Sequence, residues 1–254
     1  MKSNCLLPFT LFCLITLPFL SGCSKTVPQG KITEGEVALT FDDSHTDSWY
    51  KYLPLLDSLN IKATFYISNY RKFTPQQKEE LHAVAAHGHE IAFHTTNHPD
   101  LVKVFNKQGI DIILKEEIEK GVALLQQDGF QINNFAYPYG SHNAQLDIAL
   151  LKVFKSIRAV GNPQNSYYKC MAKDRGEKQL LYGADIDEGC NFPDSEIIKI
   201  LDNARSHHNC AVLLAHDINN PKYKFSITVE RLRMLAKEAE ARNLKFITIN
   251  QLAQ

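Results

Sequence analysis

The chain has 254 residues, 44% of them apolar, and its 28 basic and 28 acidic side chains cancel. That length suits one domain with a substantial core, and the balanced charge leaves no electrostatic footprint for nucleic acid. No internal repeat or low-complexity segment interrupts it.

Residues 1–22 read as a secretory signal. Lys2 gives a basic start, and the apolar run from Cys5 to Leu20 is too short, and too closely followed by small residues, to span a bilayer. Leu20-Ser21-Gly22-Cys23 resembles the bacterial lipobox. The resemblance implies that Cys23 is lipidated and becomes the first mature residue. The protein would then be held by its lipid in the membrane of the bacterial cell envelope, facing the periplasm or the exterior. Residues 23–35 form a polar tether with Pro28, Gly30 and Gly35, and residues 36–254 form the domain. Cys170, Cys190 and Cys210 remain after processing, without a C-x-x-C pair. One disulfide or three plain thiols are both open readings.

Along the domain, short apolar runs alternate with longer amphipathic ones. Strands are expected at 37–41, 63–67, 90–93, 134–136, 157–160, 180–184, 211–215 and 246–249, and helices at 47–59, 75–87, 107–127, 143–154, 194–207 and 227–243. Alternation of this kind predicts parallel βαβ units and an α/β barrel, open or closed. In such barrels, sites gather at the carboxyl ends of strands. Asp42-Asp43, His94, Tyr137-Pro138-Tyr139-Gly140 and His216-Asp217 all fall there. Trp49, at helical spacing with Leu53 and Leu56, reads as core as readily as a sugar platform.

The chemistry is carried by two stretches, Thr40-Phe41-Asp42-Asp43 and His94-Thr95-Thr96-Asn97-His98. One carboxylate with two imidazoles suits Zn²⁺ or a similar divalent ion and leaves coordination positions open. The second carboxylate is then free to act as a base on water. Either stretch alone could be ordinary loop or cap chemistry. Together they point to metal-assisted hydrolysis.

These stretches, with Phe135-Ala136-Tyr137-Pro138-Tyr139-Gly140, Gly183-Ala184-Asp185 and Leu213-Leu214-Ala215-His216-Asp217, make the chain resemble the polysaccharide deacetylase family, carbohydrate esterases with the nodulation-type deacetylase domain. The resemblance implies a distorted (β/α) barrel of about seven parallel strands. It implies a metal held by Asp43, His94 and His98: zinc first, with cobalt, nickel or manganese as alternatives. Asp42 would be the general base and His216 the general acid. The Tyr139 N–H, Leu214 and Asp185 would serve the substrate, an acetylated glycan carrying N- or O-acetyl groups. Three departures stand out. Ala136 occupies a position where the family often has an arginine that orients the base; Asp187, Arg158 and Arg175 are substitutes without a spacing argument. Ser44-His45 replaces the usual glycine, and Ile186 replaces a frequent aromatic. A small-amide hydrolase on the same fold and a non-catalytic glycan-binding lipoprotein are the rival readings.

Overall fold

A computed structural model describes Met1, residues 30–161 and residues 170–254; Cys23, the rest of the signal segment and the tether up to residue 29 lie outside the described residues. The strands in chain order are β1 (Glu36–Asp43), β2 (Ala63–Ile67), β3 (Glu90–Phe93), β4 (Asn134–Ala136), β5 (Ser156–Val160), β6 (Met171–Ala172), β7 (Gln179–Asp185), β8 (Cys210–Ala215), β9 (Asp217–Ile218), β10 (Ser226–Ile227) and β11 (Lys245–Phe246). β1, β2, β3, β4, β5, β7 and β8 pair in that order and in parallel, and β8 pairs back to β1 from Glu36↔Cys210 to Phe41↔Ala215. The result is the expected barrel, closed, with seven parallel strands. The short β6 runs antiparallel to the start of β8.

Side-chain alternation sorts the strands into two layers. Leu39, Phe41, Phe65, Ile67, Ile91, Phe93, Phe135, Ile157 and Leu213 belong to the large cluster that the helices cover. The lumen takes mostly small residues, with Ala38, Ala92 and Ala136 buried beside Tyr66 and Val212. These small positions make room for two large polar side chains, Tyr66 and Arg158, both fully buried. At the amino ends of the strands, Glu90 accepts hydrogen bonds from Thr64, Asn134 and the Asn250 N–H, and so closes the barrel floor.

Some boundaries differ from expectation. The segment expected as strand 246–249 pairs with β1 only over Lys245–Phe246, because Thr248 and Gln251 form a capping box that opens the helix Ile249–Leu252. The helix expected at 107–127 begins earlier, at Leu101, where Asp100 caps it, breaks at Gly109, and contains a π-helical stretch, Ile113–Glu119. The helix expected at 47–59 is two, Thr46–Lys51 and Leu53–Ser58, separated at Tyr52 just before Pro54. Part of the expected tether is docked on the domain: Lys31 bridges to Asp174, Ile32 is buried, and the Arg175 N–H bonds to the Gly30 carbonyl. Cys170, Cys190 and Cys210 are free thiols. Among the described residues, no helix is long and apolar enough to cross a membrane.

Candidate active site

The carboxyl ends of β1 and β3 bring the two sequence stretches together. Asp43 ends β1 with φ of 84°, a left-handed value that Asp tolerates better than most residues. This turn defeats strand alternation and lets both neighbouring carboxylates reach one point. The Asp42 Oδ2 and Asp43 Oδ1 atoms lie 3.8 and 3.7 Å from His94 Nε2, and Asp43 Oδ1 lies 3.1 Å from His98 Nε2. One ligand atom from each of Asp43, His94 and His98 falls within 4.8 Å of the others.

The protonation states fit a cation. His94 Nδ1 lies 2.8 Å from the Ala136 carbonyl. Only an N–H can satisfy that carbonyl, so Nδ1 carries the proton and the Nε2 lone pair faces Asp43. Burial pulls the His94 pKa down to about 4, which keeps the ring neutral near pH 7. Burial works against ionisation of Asp43, but His45, His98 and His94 outweigh it and hold the carboxyl far below the usual range. A carboxylate and two imidazoles with converging donors are a fitting set for zinc or a similar divalent ion.

Asp42 is buried and faces Arg158, whose guanidinium donates to both carboxylate oxygens. Arg158 lies on β5 directly across from Ala136 on β4. The arginine missing from position 136 is therefore supplied one strand over, at the paired position. An added Cβ at Gly183 would sit 3.0 Å from Arg158 Cδ and 3.4 Å from Leu214 Cβ, so the glycine leaves the space the guanidinium stem occupies. The ring of Tyr66 packs against the guanidinium, 5.1 Å from its carbon.

His216 follows β8. Its Nδ1 lies 2.5 Å from Asp187 Oδ2, its N–H bonds to Asp187 Oδ1, and its carbonyl accepts the Trp49 indole N–H. Trp49 is thus a buried brace, with no surface for a sugar. Burial opposes a charge on His216, but the Asp187 bond and the carboxylates of Asp42, Asp187 and Asp43 prevail and raise its pKa to about 9. Burial lifts Asp187 to about 6 against the pull of His216. Near neutrality the pair is an imidazolium held by a carboxylate.

Asp185, expected at the site, lies beside the His216–Asp187 pair, one ligand atom of each within 4.8 Å of the others, and its Oδ1 accepts the Asp187 N–H. Leu214 is fully buried on β8 beside Asp185. Tyr139 is 69% exposed, has φ of 60°, and meets the His98 ring edge-on at 4.9 Å. Ile186 is buried in the core. The aromatic at the His216 ring is instead Phe225, at 5.2 Å, while Tyr223 lies 5.2 Å from His45. Nothing in the sequence marks Phe225 or Tyr223. Arg158 does carry a signal: it is a charge between the buried apolar residues Ile157 and Ala159, where a partner is required, whereas Asp187 stands among other acidic residues, Asp185 and Glu188.

The polysaccharide deacetylase model matches residues 29–154. A peptidoglycan-N-acetylglucosamine deacetylase of Listeria monocytogenes is 32% identical over 123 residues, 47% of this chain and 24% of that protein. The chain thus matches about a quarter of the length of that curated relative. Among solved structures, a peptidoglycan N-acetylglucosamine deacetylase superposes with a TM-score of 0.60 at 22% identity, covering 89% of this chain and 91% of that one. The chitin deacetylase of the fungal pathogen Colletotrichum lindemuthianum superposes at 0.59 and 17% identity, covering 88% and 90%. These structures share the fold. The family match, which spans the stretches that hold Asp42, Asp43, His94 and His98, places the chain in the polysaccharide deacetylase family.

Proposed function

We propose that this protein is a metal-dependent hydrolase that removes acetyl groups from a cell-surface or extracellular polysaccharide. The observation that carries the reading is the convergence of Asp43, His94 and His98 on one point beside a second, arginine-held carboxylate and a histidine paired with its own carboxylate. A binding module has no use for those last two groups. The names of the relatives, which act on peptidoglycan N-acetylglucosamine or chitin, favour an acetylated amino-sugar polymer.

A divalent ion held by Asp43, His94 and His98 would polarise the acetyl carbonyl and acidify water. Asp42 accepts the proton of the attacking water. Arg158 fixes the carboxylate's orientation for that transfer, and both are buried, so bulk water does not compete for them. His216 donates a proton to the leaving nitrogen or oxygen through Nε2, since Nδ1 is engaged by Asp187. The backbone N–H of Tyr139 would bind the developing oxyanion, and Leu214 would bound the acetyl methyl. The test is acetate release from a panel of N- and O-acetylated oligosaccharides with the mature domain. Release from at least one acetylated glycan is expected. Absence of acetate from every glycan, with hydrolysis of small amides, would replace the polymer by a small substrate.

A further inference from the structure

His94 and His98 sit on a loop whose backbone is costly to hold. Thr95 and His98 both have left-handed φ values, 69° and 60°, and Thr is β-branched, which makes that conformation a true outlier. Such a loop keeps its shape only where its surroundings over-determine it. The internal tie is one bond, from the His98 N–H to Thr95 Oγ1 at 2.9 Å. The two residues between them, Thr96 and Asn97, are tied by a single residue on a different element.

That residue is Glu117, buried in the π-helical stretch Ile113–Glu119. Its Oε2 accepts the Asn97 N–H at 3.0 Å and its Oε1 accepts the Asn97 side-chain amide at 2.8 Å. Its carbonyl accepts the Thr96 N–H at 3.0 Å and the Thr96 hydroxyl at 3.1 Å. Four hydrogen bonds therefore run from one residue onto the two positions between the histidines. The wider π turn explains how a helical carbonyl can turn outward to a loop, and such turns recur at functional sites. Four residues on, an added Cβ at Gly121 would lie 2.6 Å from both Phe93 Cζ and Thr96 Oγ1, so the helix is pressed directly onto β3 and the loop.

We infer that Glu117 is a positioning residue for the metal centre: its carboxylate and carbonyl, presented by the π turn, set where His98 stands relative to Asp43 and His94. The inference rests on the reading of Asp43, His94 and His98 as metal ligands. Glu117 acts through the loop, because its hydrogen bonds run to Thr96 and Asn97, the two residues between the histidines. A carboxylate is required because both of its oxygens meet donors on Asn97. A glutamine offers one acceptor and one amide, and the amide would face an N–H.

The test compares wild type, Glu117→Gln, Asn97→Ala and a control, Glu90→Gln, which alters a half-buried glutamate at the opposite end of the barrel. Zn²⁺ affinity is measured by competition with a chromogenic chelator, and the visible absorption of the Co²⁺-loaded proteins is recorded. Circular dichroism and urea midpoints identify which variants are folded at the assay temperature. Glu117→Gln is expected to weaken Zn²⁺ binding about tenfold or more, in the range usual for groups that orient ligands, and to change the Co²⁺ spectrum. Asn97→Ala should do the same to a smaller degree, and it serves as the test if Glu117→Gln does not fold. Glu90→Gln should lose stability without moving either metal readout. A folded Glu117→Gln or Asn97→Ala with wild-type affinity and spectrum would overturn the positioning role. Wild type that binds no ion would overturn the metal reading itself, and this inference with it.

Discussion

Asp42 and Asp43 are adjacent, yet their surroundings assign them different work. Asp42 is gripped by a buried guanidinium, while Asp43 is faced by three imidazoles. Asp43→Asn is expected to lose most metal affinity, since a neutral amide is a poorer ligand. Asp42→Asn is expected to keep the metal and lose about 10²–10⁴ in rate, the usual cost of a positioned base. Metal analysis beside kcat separates the two, and the reverse pattern would exchange the roles. The acid has a pH signature. His216 is raised in the folded state from 6.5 to about 9. Its pairing therefore stabilises the fold fully below pH 6.5, and that contribution is lost as pH rises through about 9. The same deprotonation sets an alkaline limb of activity, at or below about pH 9 because a bound cation favours the neutral ring. Asp187→Asn should move this limb to lower pH. A limb that stays in place would remove His216 from the role of acid. At this scale the sequence already displayed the two aspartates and three histidines. It could not separate Asp185 from Asp187, because residues two apart share a strand face and only the turn after β7 distinguishes them.

The elements explain what single residues cannot. Strand order and β alternation were legible in the apolar runs, and six of the seven barrel strands lie within a residue or so of the expected ranges, β1 reaching Asp43. Register was not, because pairing across strands depends on the three-dimensional closure of the barrel. That is why the arginine on β5 had no spacing argument, although it is the direct neighbour of Ala136. The relocation makes a prediction. Arg158→Ala leaves a buried carboxylate without its cation, a loss of about 3–5 kcal/mol for a buried pair, with activity falling accordingly. Adding Ala136→Arg to Arg158→Ala returns a guanidinium from the adjoining strand into the volume just vacated. The double variant should recover part of both stability and kcat. A double variant no better than Arg158→Ala would show that the two positions are not interchangeable. The helix breaks at Tyr52 and Gly109 and the π turn were also illegible, since they answer to tertiary contacts and not to local propensity.

At the scale of the whole molecule, the barrel floor is sealed by the Glu90 network and the helix Ile249–Leu252, and Asp42, Asp43, His94 and His98 gather at the other end. The chain enters the domain at residue 30, close to Arg175, downstream of the proposed lipid site at Cys23. If that site anchors the protein, Cys23→Ala should shift it from the membrane to the soluble fraction without loss of fold. Retention in the membrane fraction would point to another anchor. Asp43, His94 and His98 are proposed to hold one catalytic ion together. The most direct measurement of this is the metal content of the purified domain beside that of a His94→Ala, His98→Ala double variant, by elemental analysis with acetate release followed in parallel. This ligand set predicts about one divalent ion per wild-type chain, loss of both metal and activity on chelation, recovery of both on reloading, and neither in the double variant. A double variant that keeps its ion, or a wild type equally active after chelation, would contradict it.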